Sequence, residues 1–507
     1  MSYSYAPDGE LRTRSDATGT TSFSYDALDR MTTKTLPDTT VMSFDYDAAS
    51  NLTQLDDGAG ALSYGYDHLN LIETLTDADN EVTSFVHDKN YRRTETSYPN
   101  GVTEVTEYLN SGRVKSIKGI RDLEGPNEAT LTSFSYDYTD PDSGADSSLR
   151  HQVTRGNGDV TSYDYDQLNR LTEAELRDSG GALIDHNAYG YDRNSNRTEK
   201  TVNSQLTSYV YNASNQLCWS LSGASSAACA SPPGGATSYS HDGNGNLTGS
   251  SEGLALSYND ANQTTSMTPP GGSASAMSYA DIAQDERVSA GDKTFAYNLL
   301  GLGLESQAGA ETQYVRDHTG ELISQRSSGG SEYLLFDALG SVVALTDDTG
   351  AVVARYDYDP YGELTSQSGV SDTPWRFAGG YYDEATELTK FGTRYYSAEL
   401  GRWTQEDPVK GSIANSLTLN PYVYAGQDPT NNSDPTGRFF DLSWESVGEF
   451  VASQLMGTLV GGSVAVACWG VAAFFTAGTA LTVATYGCYL AGRAVGFWVA
   501  HEARERI

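Results

Sequence analysis

The stretch Phe23-Ser24-Tyr25-Asp26-Ala27-Leu28-Asp29-Arg30-Met31 decides the fold, because it returns along the chain. It comes back as Phe44-Asp45-Tyr46-Asp47-Ala48-Ala49-Ser50-Asn51-Leu52 and as Tyr64-Gly65-Tyr66-Asp67-His68-Leu69-Asn70-Leu71-Ile72. Asp26, Asp47, Asp67 and Asp88 are spaced by 21, 20 and 21 residues, and a fixed period of that size marks stacked supersecondary units. Later copies include Tyr163-Asp164-Tyr165-Asp166-Gln167-Leu168-Asn169-Arg170-Leu171, Tyr191-Asp192, Tyr211-Asn212, His241-Asp242 and Tyr356-Asp357-Tyr358-Asp359-Pro360-Tyr361-Gly362-Glu363-Leu364, and the spacing loosens after residue 110.

Each copy has one physical grammar. Aromatic residues at i and i+2 point to the same face of a strand, and Asp followed three residues later by Gly or Asn then turns the chain. The Asp side chain caps the turn, while Gly or Asn accepts the positive-φ position. A single hairpin of this kind cannot bury its aromatic face alone and must stack on its neighbours. The tyrosines are accordingly read as packing ladders, not as a sugar or nucleotide platform.

Composition agrees. With 51 Gly, 34 Tyr, only 6 Met and 38% hydrophobic residues in 507, the chain suits many short strands and tight turns and not a helical enzyme. The formal net charge of −35 repels phosphate backbones, so nucleic-acid binding by the repeat body is not expected. Because the aspartates sit at turn positions, turn chemistry and not scattered calcium sites accounts for them, and no cofactor or metal is expected. Of four cysteines, Cys218 and Cys229 flank a small-residue loop that a disulfide could clip, whereas Cys468 and Cys488 lie in apolar sequence and read as buried thiols. Met1 leads straight into repeat-like sequence, with no signal peptide visible.

The repeats resemble the YD pattern Y-D-x-x-G-R-L of RHS proteins, toxin-complex C components and teneurins, over roughly residues 1–438. The resemblance implies an all-β fold, a β-hairpin sheet spiralling into a hollow shell around a C-terminal polypeptide; a chain of this length would form only part of such a shell. Residues 1–332 read as the YD/RHS repeats. From Tyr333 the motifs become denser, and the run Leu388-Thr389-Lys390-Phe391-Gly392-Thr393-Arg394-Tyr395-Tyr396 through Gly401-Arg402-Trp403 to Glu406-Asp407-Pro408 is similar to the RHS-associated core, assigned here to 333–438.

The core closes with Asn420-Pro421-Tyr422-Val423-Tyr424 and Ser433-Asp434-Pro435-Thr436-Gly437-Arg438. In the family the corresponding ending is where the chain cuts itself, using two aspartates. These map onto Asp407 and Asp434, with Arg402 in support, and the expected cut lies between Arg438 and Phe439 or one residue later. Two carboxylates forced together cannot both ionise, so one can hold a proton while the other activates water. The structural alternative is that Asp-Pro merely starts a turn, as at Asp359-Pro360. The chain departs from the family pattern in having Arg438 where a hydrophobic residue is usual, Asp428 where Asn is usual, and a spacing of 27 between the aspartates.

After the core the composition changes abruptly. Residues 450–492 carry no charge and are rich in glycine, enough apolar sequence for two membrane spans. Residues 439–507 are therefore expected to form a short α-helical apolar hairpin, a membrane-active or membrane-anchoring cargo. The reading is of a secreted or cell-surface shell for a C-terminal toxin segment used in interbacterial competition. Its partners would be its own C-terminal segment, an immunity protein, delivery machinery and, through 450–492, a membrane; any enzymatic action would be autoproteolysis. The competing reading is a non-enzymatic adhesion or carbohydrate-binding surface protein anchored by the same apolar segment.

Overall fold

The computed structural model describes residues 2–280, 286–411 and 416–438. The expected helical hairpin at 439–507, the membrane contact at 450–492, Cys468, Cys488 and Phe439 all lie outside the described residues. Among the described residues no helix is long and apolar enough to cross a membrane.

The body is all-β. Thirty-four strands, from Ser2–Tyr5 to Leu364–Gly369, form one sheet in which every strand pairs antiparallel with the next in sequence. Four short strands, Tyr381–Asp383, Leu388–Phe391, Arg394–Ser397 and Arg402–Trp403, make a second sheet. Strands Gly330–Phe336, Val342–Thr346 and Val352–Tyr358, which reach into the 333–438 segment, continue the large sheet, whose last strand ends at Gly369.

The repeat motif builds its turn by one scheme. Asp26 Oδ1 accepts the amides of Leu28 and Arg30, Asp47 Oδ1 those of Ala49 and Asn51, and Asp166 Oδ1 those of Leu168 and Arg170. The residue three after each Asp takes a positive φ: 60° at Asp29, 72° at Ser50 and 60° at Asn169. Just before each turn the pairing slips at the second aromatic residue, between Ser24 and Tyr25 and between Asp45 and Tyr46, as a β-bulge requires.

Consecutive turns are tied together by the residue at the fifth position. Arg30 closes on its own Asp26 and also donates to Asp47 O of the next turn at 2.8 Å; Arg170 does the same with Asp166 and Asp192 O at 3.0 Å. Where Asn replaces Arg, it reaches the next Asn instead, as Asn51 does to Asn70 at 2.9 Å. The second tyrosine of each copy completes the link. Its hydroxyl donates to the carbonyl of the residue that opens the previous return strand, Tyr46 to Met31 at 2.9 Å, Tyr66 to Leu52 at 2.9 Å and Tyr211 to Arg197 at 2.8 Å. The guanidinium of the preceding turn lies over that ring, Arg30 at 4.7 Å from Tyr46 and Arg92 at 4.3 Å from Tyr108. Thus Y-D-x-x-G-R is a device for joining one hairpin to the next.

The sheet wraps onto its own chain. Inward residues of the first repeats, among them Met42, Phe44, Leu55, Leu62 and Leu75, share one core with Leu300, Val315, Ile323, Leu335 and Val343. Polar ties hold this closure: Tyr98 OH to Leu334 O at 2.8 Å, Tyr64 OH to Arg316 O at 3.0 Å, and Glu286 to Lys34 and Arg14 at 3.0 and 2.8 Å. The middle repeats instead face the segment 359–434. Arg197 Nη2 donates to Glu399 O at 2.6 Å, Gln427 Nε2 to Ser195 O at 2.9 Å, and Tyr422 OH to Gly245 O at 2.7 Å. A cavity of about 120 Å³ is lined by residues of both, among them Tyr136, Arg150, Asp337 and Pro360. The inward face of the sheet is thus largely covered by the chain's own core.

Candidate active site

The hairpin 388–397 and the turn 434–437 create the site. Strand pairing sets Tyr396 opposite Trp403 and Ser397 opposite Arg402. Because side chains alternate along a strand, Arg394, Tyr396 and Trp403 share one face and Arg402 takes the other. On the first face Tyr396, Trp403, Tyr424, Phe391 and Phe377 form a buried aromatic cluster, with Tyr396 and Tyr424 centroids 4.2 Å apart. The Arg394 guanidinium lies on this wall, 4.1 Å from the Trp403 centroid.

From there Arg394 reaches both predicted aspartates with one nitrogen. Nη2 donates to Asp407 Oδ2 at 2.8 Å and to Asp434 Oδ2 at 3.0 Å. The side chains of Arg394 and Asp434 are each 2% exposed, whereas that of Asp407 is 16% exposed, so Asp407 is the member of the set that keeps contact with solvent. Burial pushes the Asp407 carboxyl up to about 6; the Arg394 charge opposes this and the Asp434 charge adds to it. Burial raises Asp434 as well, against the pull of Arg394. Burial lowers Arg394 in turn, with the two carboxylates working to hold its proton. A pair of this kind titrates as a unit, and one proton can reside on it where ordinary carboxylates have lost theirs.

Whether Asp434 is only a turn former can be judged from the repeats. Its Oδ1 accepts the amide of Arg438 at 3.2 Å, and Gly437 N donates to Asp434 O at 3.2 Å, which is the repeat-turn scheme. The difference is Oδ2. In Asp26, Asp88 and Asp166 that atom is taken by the arginine four residues on, and in Asp47 by Asn51. In Asp434 it is turned to Arg394 and so to Asp407. Asp359 shows the structural form of Asp-Pro: its Oδ1 accepts Tyr361 and Glu363 amides and its Oδ2 is paired with Lys200 at 3.1 Å. Asp428 is likewise engaged in its own turn, with Thr430 Oγ1 at 2.9 Å and Asn431 Nδ2 at 2.8 Å.

Arg402, expected in support of the aspartates, has its hydrogen bond and ring contacts with other residues. It donates to Asn215 O at 2.6 Å and lies between the Tyr211 and Tyr422 rings, 4.8 and 4.7 Å from their centroids. The strand alternation that turns it away is what brings Arg394 in. Two arginines, Arg394 and Arg402, precede Asp407-Pro408 closely in the sequence, and only the pairing register distinguishes their faces. Arg438 N contacts Asp434, as described, while its expected scissile partner Phe439 is outside the described residues.

Cys218 and Cys229 are joined by a disulfide that closes the loop between them, with Cα atoms 5.4 Å apart. Among the described residues, one group with cation-ligand geometry was not foreseen, Glu173, Glu175 and His186. Its members are already engaged, His186 Nε2 with Glu173 at 2.7 Å and Arg177 with Glu175 at 2.7 Å.

Comparison with known proteins matches the teneurin YD-shell model to residues 300–430 and the RHS repeat model to residues 5–41. A protein named tRNA3(Ser)-specific nuclease WapA, from Bacillus spizizenii, is 28% identical over 289 residues, covering 54% of this chain and 12% of that protein. Teneurin-4 of Homo sapiens is 28% identical over 160 residues, covering 31% of this chain and 5% of that protein. A crystal structure of TcdB2-TccC3 aligns with a TM-score of 0.46 at 16% identity, over 85% of this chain and 28% of that one. The chain spans about an eighth or less of the length of these curated relatives.

Proposed function

This chain belongs to the RHS/YD-repeat proteins, and on that premise we propose that it carries the segment after its core and cuts that segment free by hydrolysis at an aspartate pair, Asp407 and Asp434. The observation that carries the reading is the sharing of Arg394 Nη2 by the two carboxylates. In the repeat turns of Asp26, Asp47, Asp88 and Asp166 the corresponding oxygen is met by the Arg or Asn four residues on, with no second aspartate. Charges brought this close in a desolvated site keep a proton on the pair, which supplies one group to accept a proton from water and one to return a proton to the leaving amine. Asp407 meets the water, since it keeps its contact with solvent.

The cargo in this reading is the roughly 70-residue segment from about residue 438 onward, with a membrane as its target because of its long uncharged run. An immunity protein and a delivery machine are the partners such a cargo calls for, and the protein acts outside the cell that makes it.

The experiment is purification of the full chain by an N-terminal tag, followed by native and denaturing separation. The reading expects one species under native conditions that resolves on denaturation into the body and a fragment of roughly 70 residues. A single covalent chain under both conditions would favour the adhesion reading instead.

A further inference from the structure

The strands around Arg394 do more than hold the aspartates. Gly392, with φ of 41°, leaves room for the chain at Thr436: a Cβ on Gly392 would meet Thr436 O at 2.1 Å. Gly437, with φ of 61°, is bound from the other side, where a Cβ would meet Phe391 O at 2.5 Å. Through this mutual approach the turn 392–394 grips the chain at 436–438. Thr393 N donates to Thr436 O at 3.0 Å. Thr393 Oγ1 donates to Gly437 O at 2.9 Å, and Arg394 Nε donates to the same oxygen at 2.5 Å. On the far side of that peptide unit, Arg438 N donates to Asp434 Oδ1 at 3.2 Å.

One peptide group therefore has two donors on its carbonyl oxygen, one of them cationic, and a member of the aspartate pair on its nitrogen. We propose that the bond cut is Gly437–Arg438, one residue before the position expected from the sequence, and that Thr393 and Arg394 are catalytic residues forming its oxyanion site. The proposal rests on the self-cleavage reading above and specifies its register. Water adds through its oxygen to the Gly437 carbonyl carbon, and the developing oxyanion is met by Thr393 Oγ1–H and Arg394 Nε–H, donors fixed in place before reaction. The aspartate pair takes one proton from the water and returns one to the Arg438 nitrogen through Asp434, the carboxylate lying against it. The C–N bond breaks, leaving a carboxyl at Gly437 and an amine at Arg438, with one water consumed.

The test is N-terminal sequencing of the released fragment from the full chain, together with the cleavage rates of Thr393→Ala and Thr393→Ser. The fragment is expected to begin at Arg438. Loss of the hydroxyl in Thr393→Ala should slow cleavage about 100-fold, the usual effect of removing one oxyanion donor, while Thr393→Ser should cut near the wild-type rate. The backbone bond from residue 393 to Thr436 is open to both variants as to wild type, and thermal melting compares their folding; should Thr393→Ala fail to fold, the fragment's first residue and the Thr393→Ser rate still decide. A fragment beginning at Phe439, or a folded Thr393→Ala that cuts at full rate, would overturn this inference and leave the aspartate pair standing. A wild-type chain that stays whole would overturn the self-cleavage reading and this inference with it.

Discussion

Arg394 presents a single nitrogen to two carboxylates, lying 2.8 Å from Asp407 and 3.0 Å from Asp434. The two aspartates are 27 positions apart in sequence and meet only because the hairpin 388–397 stands between them. Its cation limits their mutual repulsion, and its planar group is held by Trp403 from behind.

Substitution of Arg394 should accordingly affect both fold and chemistry. Arg394→Gln leaves two buried carboxylates without their cation, and a loss of about 3–5 kcal/mol is expected on breaking such a set, seen as a lower denaturation midpoint. Arg394→Lys keeps the charge but cannot serve Asp407, Asp434 and Gly437 O at once, because it lacks the guanidinium fork. It should recover much of the stability and little of the cleavage. Equal recovery of both would show that Arg394 acts on the fold alone.

Cleavage should depend on pH through the pair. Asp407 is held at about 6, so the pair keeps a proton in mildly acid solution and loses it as the pH rises past that value. Rates measured across about pH 4–9 should fall on the alkaline side with an apparent value near 6, which is a property of the pair. The stability sign follows from the same shift. A carboxyl whose value is raised by folding binds its proton more tightly in the folded state, so its contribution is fully present below the ordinary 3.8 and is lost as pH rises through about 6. Asp407→Asn should flatten that part of the melting-temperature profile.

The tyrosine ladder can be tested one hydroxyl at a time. Tyr66→Phe and Tyr211→Phe each remove the bond to a carbonyl of the previous copy, at an expected cost of about 0.5–1.5 kcal/mol. Tyr5→Phe, in the edge strand at 62% exposure, should cost close to nothing. Equal effects at all three positions would contradict the ladder.

The disulfide is a further check. Cys218 and Cys229 are 11 residues apart, so reduction should lower the denaturation free energy by up to about 3 kcal/mol in the chain-entropy account. Cys218→Ser should match the reduced protein, and an additional drop on reducing that variant would indicate another pairing.

The hairpins were legible because their signal is local. Asp and a positive-φ residue three positions on fix a turn wherever they occur, and the Tyr-x-Tyr alternation fixes which face is buried. What joins the copies was less so: that Arg30 serves two turns and supports Tyr46 depends on the stacking of hairpins, which no single copy contains. The same limit applies to the site. Asp407 and Asp434 stand out through their Asp-Pro motifs, but choosing between Arg394 and Arg402 requires the pairing of Ser397 with Arg402, a long-range fact. The start of the core at 333 was set by motif density. Strands Gly330–Phe336 and Val342–Thr346 extend the large sheet, and their Tyr333, Leu335, Val343 and Ala344 pack in the core that holds Leu55.

The central claim, that Asp407 and Asp434 act as one unit to cut the chain, is tested most directly by intact mass of four purified full-length proteins: wild type, Asp407→Asn, Asp434→Asn and the double variant. Groups that act as a unit lose nearly all activity when either is removed. The account predicts a body and a fragment for wild type and a single full-length mass, 54.5 kDa plus any tag, for the other three. A fragment of unchanged size and yield from either single variant would contradict it.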